Sequence, residues 1–280
     1  MFGPNTDVEV NIKTDFSHRD TKFIDLYKKL TNTFIEKFSL NDYDVLFIPG
    51  SGTLAMESLF WSSTKHIEVV GPKGIWYDKW KLFSNVYERH RMYGSDKLYC
   101  QLETSIGSIY HEEGCLVDGI SSFPYYDIPN NTKVFVTCSN KQLGSMAGLS
   151  IVFVKKDYWK NLKNNDKFSY LNLSRYKQYG FLGQTPSTAP VTIIQHLYEQ
   201  IKSLNISNLR DKINNNSKLL IDLFGGTTSP VFNIPKNKIP IEIAFKYNLY
   251  GLNTDSKNYS IFTYSSDDIC YYNFVKDFKK

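Results

Sequence analysis

The chain has little cysteine, no long apolar run and no cluster of positive charge, and each shortage excludes something. Its four cysteines are Cys100, Cys115, Cys138 and Cys270. None pairs with another as C-x-x-C, and no histidine stands at zinc-finger spacing, so a disulfide scaffold and a zinc module are both ruled out. Cys115 and Cys138 lie at or beside apolar runs, where a buried free thiol is the usual state. A reducing compartment, the cytoplasm, is therefore expected. No apolar stretch approaches the roughly 20 residues that cross a bilayer. The N-terminal segment MFGPNTDVEV has no basic region followed by an apolar one, so no secretory leader is expected. The net charge of +5 is modest, and lysine and arginine are scattered rather than grouped. Neither a membrane nor a nucleic acid is an expected partner.

Aromatic residues are abundant at 15% of the chain, spread along it as a composition bias. Between Asp20 and Phe38, apolar residues recur at helical spacing: Phe23, Ile24, Tyr27, Leu30, Phe34, Ile35 and Phe38. Asp20 and Thr21 are candidate caps. Short apolar runs and helical stretches then alternate. Strands are expected at 45–48, 67–70, 115–117, 133–137 and 149–154, with helices at 53–61 and 78–87. This alternation predicts an α/β fold, a mostly parallel sheet covered by helices on both faces. The loop from Ser139 to Gly148 is too short for a crossover helix, so the strands beside it should pair antiparallel. Helices are expected at 190–204 and 209–224, the second stopped by Gly225-Gly226. Beyond Ser229, strands are expected at 230–234, 241–245 and 259–264. A large domain over 1–205, including an N-terminal arm, and a small reduced α+β domain over 206–280 are expected.

Three local signals carry chemistry. Gly50-Ser51-Gly52-Thr53 stands between a strand and a helix, where backbone amides and the helix N-terminus favour an anion. The same tetrapeptide also serves as a tight turn without a ligand. Asp118 ends an apolar strand, where open α/β sheets bind ligands, although an aspartate there is commonly a helix cap. Lys141 follows the strand 133–137. Taken singly it reads as a loop lysine, but burial and neighbouring charge can make such an amine a nucleophile. In this order a phosphate cradle, a carboxylate and a lysine match the needs of pyridoxal 5'-phosphate (PLP).

Longer motifs run in the same order. Gly3-Pro4, then Ser17-His18-Arg19 with Phe23, resemble the G-P and H-R-x-x-x-F elements of class V aminotransferases. Gly50-Ser51-Gly52-Thr53 with Ala55 and Glu57 resembles their G-S-G-T-x-A-x-E. Glu103-Thr104-Ser105-Ile106-Gly107 resembles E-[ST]-[ST]-x-G. Val117-Asp118-Gly119-Ile120-Ser121-Ser122-Phe123 resembles V-D-A-x-S-S-[FL], with glycine in the alanine position. Cys138-Ser139-Asn140-Lys141 resembles S-x-[NQ]-K, with cysteine for the first serine. Gln184-Thr185-Pro186 resembles x-T-P. The chain resembles this family, of PLP fold type I, over residues 1–200, and its motifs are nearest those of 2-aminoethylphosphonate–pyruvate and alanine–glyoxylate aminotransferases.

The resemblance implies an aminotransferase that moves an amino group between a small amino donor and a 2-oxo acid. It implies that Ser51, Gly52 and Thr53 bind the cofactor phosphate with help from Asn140. Trp76, in Gly74-Ile75-Trp76, would stack on the ring, and Ser105 would bond near the ring oxygen. Asp118 would pair with the ring nitrogen, and Lys141 would form the Schiff base. Thr185 would reach the phosphate of a neighbouring subunit, which implies a homodimer with sites at its interface. The chain departs from the family in two compressed connections, 76–103 and 107–115, which leave little room for the usual extra strand and helix. It also has no arginine after Arg210 to grip a substrate carboxylate. Thr263, Tyr264, Arg19 and Arg175 are candidate replacements. Alternative readings on the same scaffold are a lyase, an enzyme acting on a non-carboxylate amine, and a non-catalytic homologue.

Overall fold

The structure is a computed structural model that describes residues 2–3, 15–88, 94–164, 168–265 and 267–279. Pro4 and most of the N-terminal arm lie outside these residues. The helix expected from Asp20 is α1 (Thr21–Phe38), and the Asp20 side chain accepts from the Lys22 amide. In chain order there follow β1 (Tyr43–Pro49), α2 (Gly52–Ser62), β2 (His66–Val69), α3 (Ile75–Tyr87), β3 (Ser95–Cys100), β4 (Leu102–Glu103), β5 (Ser108–Ile109), β6 (Leu116–Asp118), β7 (Val134–Cys138) and β8 (Leu149–Lys155). Then come α4 (Leu173–Phe181), α5 (Val191–Ser203), α6 (Ile206–Phe224), β9 (Val231–Pro235), α7 (Ile241–Lys246), β10 (Asn258–Phe262) and α8 (Asp268–Phe278).

Six strands form one sheet in the order β1-β8-β7-β6-β3-β2. β2, β3, β6 and β7 are mutually parallel. β8 runs antiparallel to both β7 and β1, which is the reversal the short Ser139–Gly148 loop requires. Both faces of the sheet are covered. Val45 and Phe47 of β1 face a core shared with α1 and α5, built on Phe34, Phe123, Phe135 and Phe153. Leu46 and Ile48 face the other way, onto Met56, Leu59, Trp80 and Tyr176 of α2, α3 and α4. This period-two division of a continuous apolar run is why both neighbouring layers are helical. The fold is thus the expected α/β one.

Two expectations are corrected. The connection 76–103 does have room for a strand: β3 lies between β2 and β6, and β4 and β5 make a small hairpin beyond it. Residues 241–245 form helix α7, not a strand. Ala244 is buried there with Ile243 partly so, while Ile241 and Phe245 are exposed, which is one-sided helical burial. Helices α4 and α8 were also not anticipated.

Beyond α5, β9 pairs antiparallel with β10. This ribbon packs with α6, α7 and α8 around Leu220, Phe232, Ile261, Tyr271 and Phe274, and Phe2 joins that core. Among the described residues, no helix is long and apolar enough to cross a membrane.

Candidate functional site

The C-terminal ends of β1, β3, β6 and β7 and the start of β8 meet at one edge of the sheet, as parallel pairing and one reversal demand. A cavity of about 230 Å³ opens there. Seven of the residues predicted from sequence line it: Ser51, Gly52, Thr53, Trp76, Asp118, Asn140 and Lys141.

The cradle is the first turn of α2. Ser51 is its N-cap, with Oγ accepting from the Leu54 amide at 3.3 Å. The remaining first-turn amides have no partner within the helix and carry its partial positive charge. Gly52 is needed for space: a Cβ there would stand 2.6 Å from Cδ1 of Ile120, which also lines the cavity.

Asp118 ends β6 and is buried. Its Oδ1 accepts from the Ile120 amide at 3.0 Å, and its Oδ2 accepts from the Trp80 indole Nε1 at 2.9 Å. No helix starts at this point, so the carboxylate is not a helix cap. Burial raises its pKa above the ordinary value of 3.8, opposed by the Ile120 and Trp80 hydrogen bonds and by the charge of Lys141. Cys100 faces Asp118 in the β3–β6 register and also lines the cavity. Burial, reinforced by the Asp118 charge, pushes its thiol far up.

Lys141 sits in the hairpin loop between β7 and β8. Its Nζ donates to Ser121 Oγ at 2.5 Å. The loop is stitched to its surroundings. Gln142 Nε2 donates to the Ser121 carbonyl at 2.7 Å, and Gln142 Oε1 accepts from the Tyr125 amide at 2.9 Å. Ser139 is buried and donates to the Met146 carbonyl at 2.5 Å. Ser145 Oγ bonds His196 Nδ1 at 2.9 Å. The lysine is therefore mounted on a pinned loop, as a residue that must meet a reacting atom requires.

Trp76 presents its ring to the cavity from the first turn of α3. Its Nε1 donates to Thr104 Oγ1 at 3.0 Å, and its backbone amide donates to Glu103 Oε2 at 3.1 Å. Its ring stacks on Trp80, one turn on, with centroids 5.7 Å apart.

Ser105 and Thr185 are not among the lining residues. Ser105 donates to Glu103 Oε1 at 2.5 Å and accepts from the Ile75 amide at 3.0 Å, so its hydroxyl secures the start of α3. Thr185 is buried, and its hydroxyl donates to the Ser187 carbonyl at 2.6 Å. No described arginine lines the cavity. Arg19 donates to Gln184 at 2.6 Å, Arg210 to Asp127 at 2.6 Å, and Arg175 lies over the Phe168 ring. Thr263 donates to the Ser229 carbonyl at 2.9 Å, and Tyr264 is buried beside Phe262. Neither lines the cavity, although Tyr264 lies close enough to Cys138, which does, for the two to interact electrostatically.

Sequence reading missed the other lining residues, Cys100, Ile120, Ser121, Cys138, Ala147 and Gly148, and Trp80 behind them. The signal for Trp80 was its place four residues beyond Trp76, on the same helix face. Cys100 depended on recognising β3.

No protein-family model and no curated protein sequence matches the chain. Solved structures do. A phosphoserine aminotransferase from Cytophaga hutchinsonii is 17% identical with a TM-score of 0.75, over 95% of this chain and 90% of that one. An aspartate aminotransferase of subgroup IV from Thermus thermophilus is 16% identical with a TM-score of 0.79, over 99% and 97%. A ureidoglycine–glyoxylate aminotransferase from Bacillus subtilis is 14% identical with a TM-score of 0.78, over 99% and 90%. A PLP-bound phosphoserine aminotransferase from Trichomonas vaginalis is 14% identical with a TM-score of 0.75, over 95% and 90%. The chain has the fold of these aminotransferases along nearly its whole length.

Proposed function

We propose that the protein is a PLP-dependent aminotransferase that moves an amino group between a small amino donor and a 2-oxo acid. One observation carries this reading. The N-terminus of α2, a buried carboxylate and a lysine amine converge on a single cavity from three separate strand ends. Those are the partners for the phosphate, the ring nitrogen and the aldehyde of PLP. The residues fit the group. Gly52 leaves open the approach to the α2 amides, Trp76 offers an aromatic face, and Asp118 offers a carboxylate whose two oxygens are already oriented by donors.

When bound, PLP supplies an electron sink that stabilises negative charge at the carbon bearing the amine. The chain does the rest. Ser51, Gly52, Thr53 and Asn140 hold the phosphate. Trp76 fixes the plane of the ring. Asp118 holds a proton on the ring nitrogen, and its low-dielectric setting strengthens that interaction. Lys141 would supply the amine that bonds the cofactor aldehyde, and its Nζ, positioned by Ser121, would move a proton at the substrate carbon. A homodimer with sites at its interface belongs to this reading, but Thr185, buried and bonded to the Ser187 carbonyl, would have to rearrange to reach a second copy's phosphate. We place the protein in the cytoplasm on its free thiols.

The test is chemical trapping. Protein reconstituted with PLP and reduced with borohydride should carry one cofactor mass on a peptide containing Lys141, and Lys141→Ala should carry none. Wild-type protein that takes up no cofactor would refute the reading. Among the described residues no arginine lines the cavity, which favours a second reading, in which the substrate amine carries no carboxylate or the reaction is an elimination. An amino donor that converts the bound cofactor to its amine form supports transfer. Product release without that form supports elimination.

A further inference from the structure

Trp80 belongs to the cavity without lining it. It is fully buried, and its indole N–H is committed to Asp118 Oδ2 at 2.9 Å. The other oxygen of Asp118 takes the Ile120 amide. An aspartate with one donor on each oxygen cannot turn about its χ2 without breaking a buried hydrogen bond, and a buried donor or acceptor left unpaired is costly. The carboxylate, which also lies against the Cys100 thiol, is thereby fixed in orientation where it borders the cavity. Helix α3 also carries Trp76, whose ring stacks on Trp80 and lines the same cavity. One helix turn therefore sets both the aromatic wall and the orientation of the carboxylate. The start of that helix is itself anchored, because buried Glu103 accepts from the amides of Trp76 and Tyr77 at 3.1 and 2.9 Å.

We propose that Trp80 is a positioning residue for the cofactor: its indole N–H aims the Asp118 carboxylate at a cationic ring nitrogen. The inference rests on the functional reading above and adds a residue to it. Trp80 touches neither cofactor nor substrate and acts through Asp118. It predicts a loss that depends on the ligand's nitrogen rather than on ligand size.

The test compares Trp80→Phe with wild type using two probes, PLP and its analogue with carbon in place of the ring nitrogen. Phenylalanine keeps most of the packing and removes the donor. Loss of a hydrogen bond to a buried charged group corresponds to a drop in PLP affinity of about ten- to a hundredfold. Affinity for the carbon analogue should change by less than about threefold, because its ring makes no such bond. In an Asp118→Ala background, Trp80→Phe should leave PLP affinity unchanged, since the residue it acts through is gone. Trp80→Met, which fills the same space with a flexible apolar chain, carries the same expectations and serves if Trp80→Phe does not fold. Equal losses for both probes would show a packing role only, and no loss for either would show no role; each overturns the proposal. Borohydride trapping on wild-type Lys141 separates these failures from a failure of the cofactor assignment, which would overturn both.

Discussion

Glycine follows Asp118 where the resembled motif has alanine, and the structure gives the reason. A Cβ at Gly119 would lie 1.9 Å from Cζ of Phe135, 2.3 Å from Cε1 and 2.7 Å from Cε2. Ordinary carbon contacts are about 3.5–4 Å. Backbone strain is not at issue, because Gly119 is absent from the positive-φ glycines. The obstacle is the ring alone, and the ring cannot easily retreat. Phe135 is fully buried, stacks on Phe153 with centroids 5.9 Å apart, and meets Phe123 edge-on at 5.5 Å. Gly119→Ala should therefore behave as overpacking, costing about 2–3 kcal/mol. For a chain of this size that lowers the melting temperature by about 5–10 °C. Phe135→Leu alone should cost about 1–2 kcal/mol through lost packing. The double variant should be more stable than the sum of the two by at least about 1 kcal/mol, because leucine removes the atoms the new methyl strikes. Denaturant melts of the four proteins without cofactor measure all of these. If Gly119→Ala stays within about 0.5 kcal/mol of wild type, or if the two changes simply add, the steric account of this glycine is wrong.

Two further outcomes follow from the cavity. The pKa of folded Asp118 lies above its ordinary 3.8, so between those two values the folded protein holds more protons than the unfolded one. The group's contribution to stability then falls as pH rises through that window. The stability of cofactor-free wild type relative to Asp118→Asn should decline from about pH 4 upward; a difference that is flat or rises with pH refutes this. The thiols of Cys100 and Cys138, both pushed up by burial and both lining the cavity, should alkylate more slowly than the less buried Cys270. Peptide mass spectrometry after brief iodoacetamide treatment shows the order, and early labelling of Cys100 would contradict the burial described.

What sequence reading recovered and missed divides along physical lines. β1, β7 and β8 are buried on both faces, so each reads as an unbroken apolar run. β3 is paired on both sides, between β6 and β2, but carries Asp96 and Lys97 in its first half, and this hid it. Asp96 is buried because Lys133 donates to it at 2.5 Å and Tyr158 at 2.7 Å, partners far away in sequence. For 241–245, five residues are too few to separate period two from period 3.6. In the site, Lys141, Asp118 and the α2 turn stood out because strand ends are where such sheets bind ligands. Ser105 was read from motif alone, and its hydroxyl is taken by Glu103 and the Ile75 amide. A motif gives the residue type but not which neighbour claims its hydrogen bond.

The reversal at β8 explains how residues so distant in sequence are held together. A parallel successor to β7 would need a crossover of a dozen or more residues, leaving Lys141 on a long connection. The hairpin instead returns the chain directly, and pairing of Cys138 with Ser150 closes the base of the lysine loop. β8 then pairs with β1 on its other side, so the end of the lysine loop meets the cradle. The Gly50 amide donates to the Gly148 carbonyl at 2.9 Å. The turn that opens onto α2 and the loop that carries Lys141 are thus fastened at their roots by one antiparallel strand. Asp118 joins from the other side of β7, through its pairing with Val136. The distances among anion cradle, carboxylate and amine are set by the spacing of adjacent strands, a rigid quantity, and not by the loops that display them. The C-terminal elements can therefore be shortened, and the helices on the far side of the sheet altered, without moving these three groups relative to one another.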